Sequence, residues 1–254
     1  MNLIIDWLNT ILWNYVLIYG LLGAGLFFTI RLGAPQLVHF GEMIRVITSA
    51  PSTDKRGITP FQALTISLAS RVGTGNLAGV AVALTLGGPG AIFWMWMVAL
   101  VGMATAYSES TLAQLYKVTG ASGEFRGGPA FYMARGLGAP WAGAVFSICL
   151  ILSFGLVFVG VQSNSIAESV SAAYGIPKLA VGIAVAALAG LVIFGGIKSI
   201  AKVAELVVPV MAGIYLLVAI VVMILHITEV PGMLWLIVSS AFGLQEVAGG
   251  FTGG

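Results

Sequence analysis

The residues whose types and spacing could do chemistry fall in one stretch. Residues 59–90 read TPFQALTISLASRVGTGNLAGVAVALTLGGPG. Ser70, Arg71, Gly73, Thr74, Gly75 and Asn76 stand together inside an otherwise apolar run. Glycine disfavours helix, and two glycines flank Thr74. Backbone that leaves a helix within hydrocarbon exposes N–H and C=O groups, and it is tolerated only where it lines a cavity and those groups find partners. The pattern therefore predicts a discontinuous helix: Thr59–Val72, a break near Gly73–Gly75, then Asn76–Leu86. The first half would end in carbonyls carrying partial negative charge, which suit a dehydrated Na+. The second half would begin in N–H groups carrying partial positive charge, which suit a carboxylate. A zwitterionic amino acid travelling with a cation fits both ends. A plainer account is close helix packing, because Gly75, Gly79 and Ala83 form a ladder of small residues. Packing alone leaves Thr74 and Asn76 unexplained, since polar groups inside a membrane are costly.

A second polar feature lies further along. Gly155, Phe158, Gln162, Ser165 and Ser169 recur at helical spacing and form one stripe. Such a stripe faces a cavity or another helix rather than lipid. Spacing alone leaves two accounts of Gln162 open, a ligand or a helix–helix hydrogen bond worth about 0.6–2 kcal/mol. Asn164 lies nearly opposite and is read as structural. Arg71 and Glu109 are the ionisable pair to watch within spans, and a structural ion pair between them is expected ahead of proton coupling. Lys202 and Glu205 are three apart and read as a local helical pair. Pro209 and Gly213 predict a bend.

Other chemistries are excluded. Two histidines, His39 and His226, cannot build a zinc site alone, and the single cysteine, Cys149, forms no intramolecular disulfide or thiolate cluster. There is no HExxH, no GxSxG and no nucleotide-binding loop. Gly87–Gly90 is a turn, because it follows a helix and no Lys-Ser/Thr comes after it. The RGGPA segment, Arg126–Ala130, reads as a turn opening a helix, with part of an inner gate as the other reading. No catalytic residue and no resident cofactor are expected.

The elements that position these residues follow from composition. Of 254 residues, 59% are apolar and 8% are charged, against about 25% charged in an average soluble domain. The mean hydropathy is +1.05. Twenty charged side chains cannot cover a folded chain of this size in water, so the solvent is lipid. A net charge of +2 implies no nucleic-acid partner. A spanning helix needs about 20 mostly apolar residues. Six stretches qualify: Ile11–Ile30, the interrupted Thr59–Leu86, Ala91–Tyr116, Trp141–Ala173, Pro177–Ile197 and Ile200–Ile227. His39–Thr53 carries Phe40, Met43, Ile44 and Ile47 at helical spacing and reads as a helix on the membrane surface. Pro231–Phe242 reads as a short interfacial helix. Nine of the eleven Lys and Arg residues fall in the three alternate loops, Lys178 lies on the other side, and Arg71 lies within a span. That asymmetry predicts cytoplasmic basic loops and an amino terminus outside.

With these features in place, Ala69–Lys117 and Gly123–Met133 (GEFRGGPAFYM) resemble the alanine or glycine:cation symporters, a family of bacterial and archaeal amino-acid transporters. The resemblance runs from about Thr59 to the carboxyl end. It implies an all-α, leucine-transporter-like fold in which five helices form one repeat and five more an inverted copy. Residues 59–227 would be the first repeat, residues 11–30 an extra leading helix, and residues 228–254 the extracellular start of the second repeat. The resemblance also implies roles. Thr74, Gly75 and Asn76 would bind the substrate carboxylate through main-chain N–H groups, with the Asn76 side chain as an additional donor. The Ala69 and Val72 carbonyls would contribute to a Na+ site. Gln162 would face the same cavity.

The expected function is cation-coupled symport, with Na+ as coupling ion, of a small neutral amino acid such as alanine or glycine, in a multi-pass protein of the bacterial inner membrane. The alternative is a channel or a structural membrane subunit, but the polar residues cluster at one depth instead of lining a pore. Nothing after Ile227 repeats the Ser70–Asn76 break, so the 254 residues are expected to be the amino-terminal half of a longer transporter.

Overall fold

The computed structural model describes residues 2–48, 57–121, 123 and 125–243. The basic loop residues Lys55 and Arg56, the end of the expected surface helix and the glycine-rich tail lie outside the described residues. Apart from a two-stranded hairpin, the regular structure is helical. Helix α1 spans residues 2–31, with a π-helical middle at Thr10–Leu17. Two short helices follow, α2 (Pro35–Val38) and α3 (Phe40–Thr48). Next come α4 (Pro60–Arg71), α5 (Thr74–Gly87) and α6 (Gly90–Leu115). Strands β1 (Val118–Thr119) and β2 (Phe125–Arg126) pair antiparallel and lead into α7 (Pro129–Arg135). Helix α8 is Pro140–Tyr174, with a π-helical stretch at Ile151–Phe158. It is followed by α9 (Lys178–Phe194), α10 (Gly196–Leu225) and α11 (Val230–Ala241).

Among the described residues four helices are long and apolar enough to cross a membrane: Asp6–Arg31 within α1, then α6, α8 and α10. The expected span Pro177–Ile197 is the 17-residue helix α9, at the short end of what crosses a hydrocarbon core about 30 Å thick. The expected interrupted span is α4 and α5, of 12 and 14 residues. Together these elements make an all-α membrane protein.

Within the expected stretch His39–Thr53, Phe40–Thr48 is helical as α3, and it packs against α4. The expected short helix Pro231–Phe242 is helical as α11, and it packs on the first turn of α6. A Cβ on Gly90 would lie 2.8 Å from the Ser240 and Ala241 backbone, and the Phe242 ring meets Phe93 at 5.1 Å. Gly90 is therefore small for a reason of packing, whereas Gly88 takes the positive φ of 66° that the turn needs. The Arg126–Ala130 segment is the turn that opens α7, with Pro129 at its first helical position.

Elsewhere, α1 packs on α6, α7 on α6 and α8, α8 on α9, and α9 on α10. Helix α4 packs on α10, and this seam supplies much of the small core: Thr65, Ala201, Ala204 and Val208 are all buried. Helix α5 packs on α6. Pro209 falls inside α10, where it removes one backbone hydrogen bond.

Candidate functional site

The site is built from the end of α4, the start of α5 and the middle of α8. Helix α4 opens on a capping box. The Thr59 hydroxyl accepts from the Gln62 backbone N–H at 3.1 Å, and the Gln62 side-chain Oε1 accepts from the Thr59 N–H at 3.1 Å. The helix ends at Arg71. Val72 (φ −87°, ψ 105°) and Gly73 (φ −148°, ψ −171°) are extended, and α5 begins at Thr74. The break is two residues long and starts one residue earlier than the sequence pattern implies.

Its two ends differ in charge. At the end of α4, the Val72 N–H donates to the Leu68 carbonyl at 2.8 Å, and the Asn76 Nδ2 donates across the break to the Arg71 carbonyl at 2.5 Å. The Ala69 and Val72 carbonyls also lie at this end of α4. These are oxygens that a helix C-terminus leaves without an intrahelical partner. At the start of α5, Gly73 provides no side-chain cap. The Asn76 N–H turns back to the Gly73 carbonyl at 3.0 Å, which leaves Thr74 and Gly75 as the N–H groups at the tip. The Thr74 side chain lies outside what the structure describes. Gly75 is helical, and beyond its chain neighbours and its own helix backbone a Cβ there would meet no atom within 4 Å, so the space beside Gly75 is open.

Gln162 comes to this break. A Cβ built on Gly73 would overlap Gln162 Nε2 and lie 3.2 Å from its Cδ. Extended angles are open to any residue, so Gly73 is set apart by the amide it accommodates. Gln162 and Ser165 are half-buried, and Asn164 is exposed on another face. The expected stripe holds only in part. From Val159 onward the helix has α spacing, and Ser169 Oγ donates to the Ser165 carbonyl at 2.8 Å. The stretch before it is π-helical, where the turn is wider and i+5 bonding moves Gly155 and Phe158 out of the α register. Phe158 stacks on Phe154, with centroids 4.8 Å apart.

Thus Asn76, Gly73 and Gln162 converge on the break, with the Ala69 and Val72 carbonyls on its other end. The Asn76 amide nitrogen bridges the two half-helices, an engagement the sequence reading did not foresee. Arg71 Nη1 reaches back to Ser67 Oγ on its own helix instead of forming the expected pair with Glu109. Glu109 lies near Tyr132 of α7, whose phenol is raised above its ordinary value by burial and by that carboxylate. Glu205 also departs from expectation. It accepts from Gln62 Nε2 at 2.8 Å, 143 positions away, in place of a local pair with Lys202. Among the described residues no group of three or more His, Cys, Asp and Glu could hold a metal.

The chain is similar to several known proteins. The amino-acid carrier protein AlsT of Bacillus subtilis is 51% identical over 253 residues, covering 100% of this chain and 54% of the relative. The probable sodium/glutamine symporter GlnT of Bacillus subtilis is 50% identical over 246 residues, covering 96% and 51%. A sodium/proton-dependent alanine carrier protein of Bacillus sp. (strain PS3) is 46% identical over 213 residues, covering 83% and 47%. The chain spans about half the length of these relatives, which are named as transporters and not as enzymes. The family model described as the sodium:alanine symporter family matches residues 1–254. This chain belongs to the sodium:alanine symporter family.

Proposed function

We propose that this chain forms an amino-acid and cation site of a secondary transporter that couples Na+ to the symport of a small neutral amino acid such as alanine or glycine. The observation that carries the reading is the α4–α5 break. It sets the carbonyl end of α4, with Ala69 and Val72, on one side of a two-residue gap, and the N–H end of α5, which Gly73 does not cap with a side chain, on the other. The carbonyl end attracts a cation, and the N–H end attracts a carboxylate. Thr74, Gly75 and Asn76 hold the carboxylate through the main chain, Ala69 and Val72 contribute two oxygens to Na+, and Gln162 faces the substrate beside Gly73. The open space at Gly75 admits a small solute to the helix tip.

The names of the relatives support the substrate class and leave a choice within it. One is named for alanine with sodium or protons, and another for glutamine with sodium. Two carbonyls are too few oxygens for Na+, so the site needs a further wall. We place that wall in a second, inverted five-helix repeat, with residues 59–227 as the first repeat and residues 11–30 as a leading helix. The charge asymmetry of the loops supports an inner-membrane protein with its amino terminus outside.

The test is alanine counterflow in proteoliposomes of the full-length protein, with Na+ or with a proton gradient alone. Exchange that requires Na+ and saturates with alanine is expected. Exchange indifferent to both cations would overturn coupled symport, and conduction without saturation would favour a channel.

A further inference from the structure

The two halves of the broken helix pack on different neighbours. Helix α5 lies on α6, which also carries α1 and α11, whereas α4 lies on α10, which in turn carries α9. Val72 and Gly73, both extended, form the junction between them. The α4–α10 seam is made of small buried groups. Thr65 is 1% exposed, and Ala201, Ala204 and Val208 recur along one face of α10. Small residues let the two backbones approach closely, and interhelical hydrogen bonds add to such packing.

One such bond joins Gln62 to Glu205. The Gln62 amide is used at both ends: Oε1 closes the capping box with the Thr59 N–H, and Nε2 donates to Glu205 Oε2 at 2.8 Å. One side chain thus joins the first turn of α4, its amino-terminal cap and a carboxylate of α10. Glu205 is half-buried. If α4 moved off α10, the carboxylate would lose its described donor and α4 would lose half of its capping arrangement. Hydrogen bonds to a charged acceptor are among the stronger ones, and leaving such an acceptor unsatisfied away from water is costly.

We propose that Glu205 is a positioning residue which, through Gln62, holds α4 to α10 and sets how often this half-helix separates at the Val72–Gly73 junction. The role does not depend on which solute is carried, so it stands or falls apart from the transport reading.

The experiment uses the full-length protein in membranes, in a background without other cysteines, and reads the rate at which a water-soluble maleimide modifies a buried reporter. Thr65→Cys reports the α4–α10 seam. Ala104→Cys, at a site 0% exposed on α6, reports the other group of helices. Glu205→Ala and Gln62→Ala should each speed labelling at the Thr65 reporter by about tenfold to a hundredfold, the equilibrium weight of one charge-assisted hydrogen bond. The double variant should add little beyond Gln62→Ala alone, because Gln62→Ala already removes the bond that Glu205→Ala removes. Glu205→Gln keeps an acceptor for Gln62 Nε2 and should restore the slow rate to within a few-fold. The Ala104 reporter should stay slow throughout. Unchanged labelling at Thr65, additive effects, or no rescue by Glu205→Gln would overturn the proposal. A parallel rise at Ala104 would do the same, because it would mean that Glu205 supports the fold as a whole.

Discussion

Gly73 and Gln162 are in contact at the helix break: the glycine carries no side chain, and the space where one would begin is taken by the Gln162 amide. The neighbour that a Cβ would meet is the far end of a flexible side chain, so the fold can yield by moving the amide. Gly73→Ala in the full-length protein should therefore leave insertion and expression intact and weaken amino-acid binding about tenfold, the weight of one displaced hydrogen-bonding group. In a Gln162→Ala background the same substitution should have little further effect, because nothing is left to displace. Isothermal titration or scintillation proximity with alanine measures all four variants. Full additivity would show that Gly73 and Gln162 act separately.

Gly75 asks a different question. Its backbone is helical and its surroundings are open, so it needs no unusual angles, and its part is to leave room at the tip of α5. Gly75→Val should abolish alanine binding while the protein remains inserted, because the branched side chain fills the approach to the Thr74 and Gly75 N–H groups. Gln162→Ala should weaken binding by only about 1 kcal/mol, one net hydrogen bond. Alanine affinity unchanged in Gly75→Val would assign the glycine to helix packing alone.

The break was legible because its signal is local. Two glycines around a threonine, with Asn76 after them, mark an interrupted helix wherever the flanking residues are apolar, and the observed half-helices end within two residues of the expected positions. The π-helical stretch Ile151–Phe158 was not legible. Its sequence, ILSFGLVF, is uniformly apolar apart from Ser153, and such a run has no pattern that separates i+4 from i+5 bonding. The partner of Glu205 was not legible either. Lys202 offered a local partner at helical spacing, and only the packing of α4 on α10 brings Gln62 within 2.8 Å. Sequence periodicity reports which face is apolar, but it does not report which helix that face meets.

The orientation can be checked through loop positions whose sidedness follows from the Lys and Arg distribution. Cysteines placed at Ser52 and Ser122, both outside the described residues, should react only from the cytoplasm. One at Tyr174, the exposed last residue of α8, should react only from outside. Maleimide labelling of intact cells against inverted vesicles separates the two. Reaction at Ser122 in intact cells would mean that the helices between α1 and α7 cross the membrane a different number of times.

Asn76 gives a test in which two substitutions must rank. Its Nδ2 donates to the Arg71 carbonyl at 2.5 Å and so ties the end of α4 to the first turn of α5. Asn76→Ala removes the donor and leaves that carbonyl without its described side-chain partner. A net loss of about 1 kcal/mol in stability follows, with a smaller loss in affinity if the main-chain N–H groups stay in place. Asn76→Asp removes the donor as well and sets a negative charge near a carbonyl and in the path of an incoming carboxylate. A negative charge near a helix N-terminus gains about 0.3–1 kcal/mol from the helix dipole, and this gain offsets part of the loss in stability. It does nothing for an anionic ligand, which must now approach a like charge. The two readouts should therefore separate. In thermal unfolding of the full-length protein the Asp and Ala variants should fall close together, whereas in alanine binding the Asp variant should be weaker than the Ala variant by tenfold or more, on the order of one screened charge–charge interaction. Equal affinities would place the substrate carboxylate away from the amino-terminal turn of α5.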